Sequence, residues 1–131
     1  DGGGLRLLSC NAMYSGGALL RNHANGAGGG LSISPSQMQK QNPGESRSVE
    51  LKQPLIQENE ALDGGGVSLS GLVAFSLTDA LLAANGAAAF GGGLAATEYV
   101  SYSDGRKVRR TAQSPDVLLL RASFEHNKAT V

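Results

Sequence analysis

Glycine comes in runs, at Gly2 to Gly4, Gly16 to Gly17, Gly28 to Gly30, Gly64 to Gly66 and Gly91 to Gly93, and no other feature restricts the fold as strongly. Nineteen of 131 residues are glycine, about twice the usual share of about 7%. The residues after the four triplets are alike: Leu5-Arg6-Leu7, Leu31-Ser32-Ile33, Val67-Ser68-Leu69 and Leu94-Ala95-Ala96. Three of these alternate large apolar with polar residues, the period of a strand with one buried face.

A second signature precedes the runs. Leu8-Ser9-Cys10-Asn11, Leu19-Leu20-Arg21-Asn22, Ile56-Gln57-Glu58-Asn59, Leu82-Ala83-Ala84-Asn85 and Phe124-Glu125-His126-Asn127 each place an apolar residue three positions before an asparagine. In the last four, alanine stands two positions later, at Ala24, Ala61, Ala87 and Ala129. The unit is therefore apolar-x-x-Asn-x-Ala, a few residues, a glycine run and a short strand. The asparagines are spaced by 11, 37, 26 and 42 residues. Such irregularity argues against packed helical repeats and for a coil that tolerates loops. The extra length falls at 34–54, with three prolines and five Gln or Asn, and at 98–116, with the Asp104-Gly105 turn signal and Pro115. Both are expected to be loops thrown out from one coil.

The expected fold is all-β, a right-handed parallel β-helix or solenoid over residues 1–131. Each repeat makes one coil of short strands, and neighbouring coils pair about 4.8 Å apart. Glycine supplies tight corners and close backbone approach. Asparagine tolerates the left-handed region at a corner and, stacked in successive coils, donates one way and accepts the other. Asn11, Asn22, Asn59, Asn85 and Asn127 are thus expected to form a structural ladder, with the alanines where the cross-section is narrow. The sequence starts after an asparagine position and stops where a glycine run is due, the phase expected of a window from a longer repeat protein.

The pairing of Phe124-Glu125-His126-Asn127 with Gly16-Gly17-Ala18-Leu19 resembles the two short motifs of the polymorphic outer-membrane proteins of chlamydiae and of related algal and protist β-helix proteins. The likeness covers most of the chain outside the two loops. It departs in having phenylalanine at only one lead position and alanine after only one glycine pair. The resemblance implies an extracellular or cell-surface β-helix passenger, used in adhesion or as a structural shaft or fibre, and not an enzyme. Its partners would be neighbouring coils, copies of the same protein, glycans or other surface proteins.

Other functions find less support. Eleven basic residues balance eleven acidic ones, which leaves no global field for nucleic acid. The uncharged stretch from Ala80 to Thr97 is broken by Asn85, Gly86 and Gly91 to Gly93, so no membrane span is expected here. Cys10 alone makes neither a disulfide framework nor a cysteine zinc site. His23 and His126 sit at filler positions beside repeat asparagines, and neither metal nor cofactor is expected. Gly91-x-Gly93-x-x-Ala96 fits a dinucleotide fingerprint but lacks a surrounding βαβ unit. Asp63, Asp79, Asp104 and Asp116 leave a polysaccharide-active β-helix enzyme as an alternative, but only Asp1 and Asp63 share a repeat position, and Asp-Gly turns explain both. Within the segment 104–110, Arg106, Lys107, Arg109 and Arg110 form the strongest local charge, a candidate binding loop for a sulfated glycan or acidic partner.

Overall fold

A computed structural model describes residues 2–35, 47–102 and 110–130. Among these the protein is all-β. The chain passes four times through the same sequence of parallel sheets, the connectivity of a β-solenoid. The first pass is β1 (Leu5–Leu8), β2 (Ala12–Ser15) and β3 (Ala18–Leu20). The second is β4 (Leu31–Ser34), β5 (Arg47–Lys52), β6 (Leu55–Gln57) and β7 (Glu60–Asp63). The third is β8 (Val67–Ser70), β9 (Val73–Thr78), β10 (Leu81–Ala83) and β11 (Gly86–Phe90). The fourth begins at β12 (Leu94–Thr97), is interrupted by β13 (Tyr99–Tyr102) and β14 (Arg110–Gln113), and resumes with β15 (Asp116–Leu120), β16 (Ser123–Glu125) and β17 (Lys128–Ala129).

The first sheet stacks β1-β4-β8-β12, the second β2-β5-β9-β15, the third β3-β6-β10-β16 and the fourth β7-β11-β17. The first pass joins the fourth sheet through isolated bridges, His23 to Glu60 and Ala27 to Asp63. In the fourth sheet register slips by one residue between Ala87 and Phe90. In the first three it is kept residue by residue, so each inward position becomes a column of apolar side chains. Leu5, Leu31, Val67 and Leu94 form one, and Ala12, Val49, Phe75 and Val117 another. Leu31, Ile33, Val49, Leu51, Ile56, Val67, Leu69, Phe75, Leu77 and Leu82 make a continuous core along the two middle passes. Period-two patterning explains this, since a one-residue slip would turn every apolar side chain outward.

Two expectations change. Of the stretch 34–54, Arg47–Lys52 is strand β5, paired with both β2 and β9, and Ser34 belongs to β4. Within 98–116 the chain forms an antiparallel pair, β13 with β14, and Asp116 already begins β15. Both stretches contain alternating β-formers that prolines and glutamines obscured. The residues between the large apolar ones also depart from simple alternation, because Ser32, Ser68 and Ala95 are buried rather than solvated. The preceding corner folds over them: a Cβ on Gly64 would lie 2.8 Å from that of Ser68, and one on Gly91 2.7 Å from that of Ala95. Gly2 turns over Arg6 in the same way in the first pass, where that side chain is exposed.

Deleting the central ring of the core should leave a cavity that the register-locked sheets cannot close. Phe75→Ala is expected to lower the unfolding free energy by about 3–5 kcal/mol. Met13→Ala, at an exposed position, should stay within about 0.5 kcal/mol; urea unfolding monitored by circular dichroism compares the two.

Candidate functional site

Among the described residues, the corner between the third and fourth sheets holds a continuous column of side-chain hydrogen bonds. Asn22, Asn59, Asn85 and Asn127 stack there in consecutive passes. Asn22 Nδ2 donates to Asn59 Oδ1 at 2.9 Å, Asn59 Nδ2 to Asn85 Oδ1 at 2.9 Å, and Asn85 Nδ2 to Asn127 Oδ1 at 2.9 Å. Each acceptor oxygen also takes the backbone N–H of the preceding rung, at 2.9 Å from Asn22 and 3.0 Å from Asn59 and Asn85. The remaining amide hydrogens go to the carbonyls of Leu19, Ile56 and Leu82, donated by Asn59, Asn85 and Asn127 respectively. Asn59 and Asn85 are 0% and 1% exposed, and both donors of each side-chain amide are used.

This geometry explains the motif. The apolar residue three positions before each asparagine contributes a core side chain, and its carbonyl takes the amide of the next rung. Ala24, Ala61 and Ala87 are buried beyond the ladder, where the cross-section narrows. The left-handed residue of the corner is not the asparagine but its predecessor: Arg21, Glu58, Ala84 and His126 have φ of 53°, 55°, 51° and 52°. The asparagine keeps ordinary backbone torsions and acts through its side chain. Asn11 stands apart from the ladder. It lies at the corner between the first two sheets, where Ser48 N–H donates to its Oδ1 at 2.9 Å, and the register there continues through Ala74 and Asp116. With no asparagine above Ser48, no second rung can form.

The glycine triplets stack beside the ladder. Gly64, with φ +61°, makes the turn, and a Cβ on Gly65 would collide with the Gly86 backbone. A Cβ on Gly66 would press on Asn85 Nδ2 at 3.2 Å, and the corresponding Cβ on Gly30 on Asn59 Nδ2 at 3.1 Å. Three successive glycines thus answer three separate demands. Backbone hydrogen bonds cross this corner in one sense, from Gly64, Gly65, Gly66 and Val67 N–H to the carbonyls of Phe90, Gly91, Gly92 and Gly93.

On the solvent side of the corners, exposed charges of left-handed residues pair between passes. Arg21 Nε donates to Glu58 Oε2 at 2.7 Å, and Arg121 grips Asp79 through Nε and, at 2.9 Å, through Nη2 to Oδ2. Hydrogen bonding to Arg21, reinforced by its charge, holds the Glu58 carboxyl below the usual range, and Arg121 does the same for Asp79. His23 lies against Glu60 at 3.6 Å and contacts Asn25. Cys10 is a free, partly exposed thiol. Gly91 to Gly93 form a corner ahead of strand β12, not ahead of a helix. Asp63 accepts from Phe90 N–H and Asp79 is held by Arg121, so neither joins an acidic cluster. Among the described residues no three of His, Cys, Asp and Glu come together as metal ligands. No helix among them is long and apolar enough to cross a membrane. Arg106, Lys107, Arg109 and Asp104 lie outside the described residues, and Arg110 opens β14.

Comparison with protein-family models, with curated proteins and with solved structures finds no match to this chain.

Replacing both Asn59 and Asn85 by leucine should lower the melting temperature by about 5 °C or more, since each buried group left unpaired costs about 1–3 kcal/mol. In alanine double-mutant cycles Asn59 and Asn85 should couple by about 0.5–3 kcal/mol, whereas Asn11 and Asn85 should add within about 0.5 kcal/mol.

The paired carboxylates carry a signed pH dependence. Their folded values lie below the unfolded ones, so the stabilisation is present above the unfolded carboxylate range and is lost as pH falls through the depressed folded values. Arg121→Gln should return the Asp79 titration, followed by NMR, to the ordinary range. Because the pair lies at the surface and is screened by solvent, the melting temperature at neutral pH should barely move.

Proposed function

We propose that this chain is a right-handed parallel β-helix whose function is mechanical and adhesive, a stiff segment of an extracellular, surface-displayed protein of the kind its motifs resemble. The asparagine ladder carries this reading. A buried polar column with every rung satisfied fixes the register of successive coils and resists their sliding, as a shaft requires. Right-handedness accords with the strong preference of parallel strand crossovers for that hand. The chemistry is structural rather than catalytic: its polar groups are spent on one another and on backbone, with exposed ion pairs outside. Neighbouring coils and surface molecules, rather than nucleic acid, are the partners this arrangement suits.

Force spectroscopy of the chain pulled between its ends tests the reading. A shaft should unravel in coil-sized steps at forces that fall when Asn59 and Asn85 are replaced by leucine. Equal forces for both proteins would overturn a mechanical role for the ladder.

A second reading, a glycan- or partner-binding module, gains from the β13–β14 pair. This antiparallel pair departs from the parallel sheets, and the basic residues Arg106, Lys107 and Arg109 lie between its strands in sequence. Binding to a sulfated glycan such as heparin should then weaken steeply with salt and disappear when these three and Arg110 become alanine. Retained binding would discard the basic segment as the contact.

A further inference from the structure

Asparagine is followed by glycine twice in the chain, at Asn25-Gly26 and Asn85-Gly86, and the fold treats the two dipeptides in opposite ways. A glycine has no side chain to shield its backbone nitrogen from the amide of the preceding asparagine, so this dipeptide is open to intramolecular attack. Asn85 is closed to it. That residue is 1% exposed, and its Nδ2 donates to Asn127 Oδ1 and to the Ile56 carbonyl, each at 2.9 Å. Its Oδ1 accepts from Asn59 N–H and Nδ2, while the Gly86 N–H donates to the Asn59 carbonyl at 2.8 Å. Turning Cγ toward the Gly86 nitrogen would break all of these bonds.

Asn25 and Gly26 lie outside that network, in a bend between the bridges His23 to Glu60 and Ala27 to Asp63. The first pass has one residue more between these bridges than the second, the mark of a β-bulge. The third pass bulges at the same place, with Ala88 at the position of Asn25. This outward position is exposed inside the stack too, at Leu62 and Ala88. His23 Nε2 lies 3.2 Å from Asn25 Oδ1, and its Nδ1 lies 3.6 Å from Glu60 Oε2. With a proton on Nε2 the imidazole donates to the amide oxygen, where negative charge gathers as a nucleophile adds to Cγ.

We infer that Asn25 is a self-modification site, activated by His23, whereas Asn85 is protected by the ladder. The Gly26 nitrogen gives up its proton and bonds to Asn25 Cγ; the Cγ–Nδ2 bond breaks and ammonia leaves, closing a succinimide ring. Water then opens the ring at either carbonyl, giving aspartate or isoaspartate. Aspartate adds a carboxylate to the face that carries Glu60. Isoaspartate adds a methylene to the backbone between the Ala24 N–H, bonded to the Glu60 carbonyl at 2.9 Å, and the Gly28 N–H, bonded to that of Asp63 at 2.9 Å. The change thus falls where the first pass is tied to the fourth sheet.

Mass spectrometry of the folded chain held at neutral pH and physiological temperature tests this. Peptides carrying Asn25 should come to hold OH in place of NH2, with aspartate and isoaspartate separated by chromatography, while peptides carrying Asn85 should stay unchanged. In urea both sites should react alike, which assigns the difference to the fold. His23→Gln, at an exposed position, should slow the reaction of Asn25 severalfold in the folded chain and leave its rate in urea unaltered. An Asn25 that survives in the folded chain while it reacts in urea overturns the inference. So do equal gains at Asn25 and Asn85 in the folded chain, or a folded His23→Gln variant that reacts as fast as the unaltered protein.

Discussion

A stack of parallel strands places one demand on all of its backbone: neighbouring passes must keep the strand spacing at the corners as well as within the sheets. In the sheets the ladder bonds enforce this spacing. At a corner the peptide planes turn away from the stacking direction, and some N–H and carbonyl groups lose their natural partner inside the protein, where an unpaired one is costly. The asparagine amide has the size and functionality to repair this. Its oxygen collects the backbone N–H and the side-chain amide of the rung before, while its nitrogen serves the rung after and the carbonyl of a lead apolar residue. A glutamine would need one more methylene in a column so close to the glycines that even a Cβ added to Gly30 or Gly93 would lie 3.1 Å from the ladder amide. Aspartate lacks the donors. The triplets and the ladder are therefore one device, since close approach requires glycine and the same approach brings the amides within reach of each other.

The sequence showed this device because both of its parts are compositional. The third glycine of each triplet, the ladder asparagine and the alanine two positions later all recur with little variation in type, as do the apolar positions of the first sheet. The same physics accounts for the features it hid. Asn11 shares only the apolar-x-x-Asn part of the motif, with Met13 where the others have alanine, and its separation of 11 residues from Asn22 is shorter than the 26 residues that one uninterrupted pass takes between Asn59 and Asn85. Spacing and the missing alanine were the discriminating signals. Arg21, Glu58, Ala84 and His126 share the left-handed torsion without sharing chemistry, so no composition marks them. The stack, not the residue, imposes the torsion, at a cost of about 1–2 kcal/mol for a residue bearing a Cβ. Strand β5 was hidden because its inward residues, Val49 and Leu51, are flanked by charged ones and come after a proline-rich stretch.

The long separations of 37 and 42 residues both arise at one place, the corner from the first sheet to the second. Leu5 pairs with Leu31, while Ala12, seven residues on, pairs with Val49; the added length thus enters between β4 and β5. In the fourth pass the β13–β14 pair enters between β12 and β15, at the same corner. The corner bearing the asparagines, by contrast, spans the same number of residues in every pass, from Leu20 to His23, Gln57 to Glu60, Ala83 to Gly86 and Glu125 to Lys128. A satisfied ladder permits no slack, because one inserted residue would leave every rung beyond it out of register. The opposite constraint holds at the first corner, where no polar column runs through successive passes and Asn11 reaches only Ser48. Variation in length between the passes is thus confined to the edge of the stack where it costs no buried hydrogen bond. On the mechanical reading proposed above, the ladder corner would hold the passes together and the variable corner would be the one left to meet other molecules.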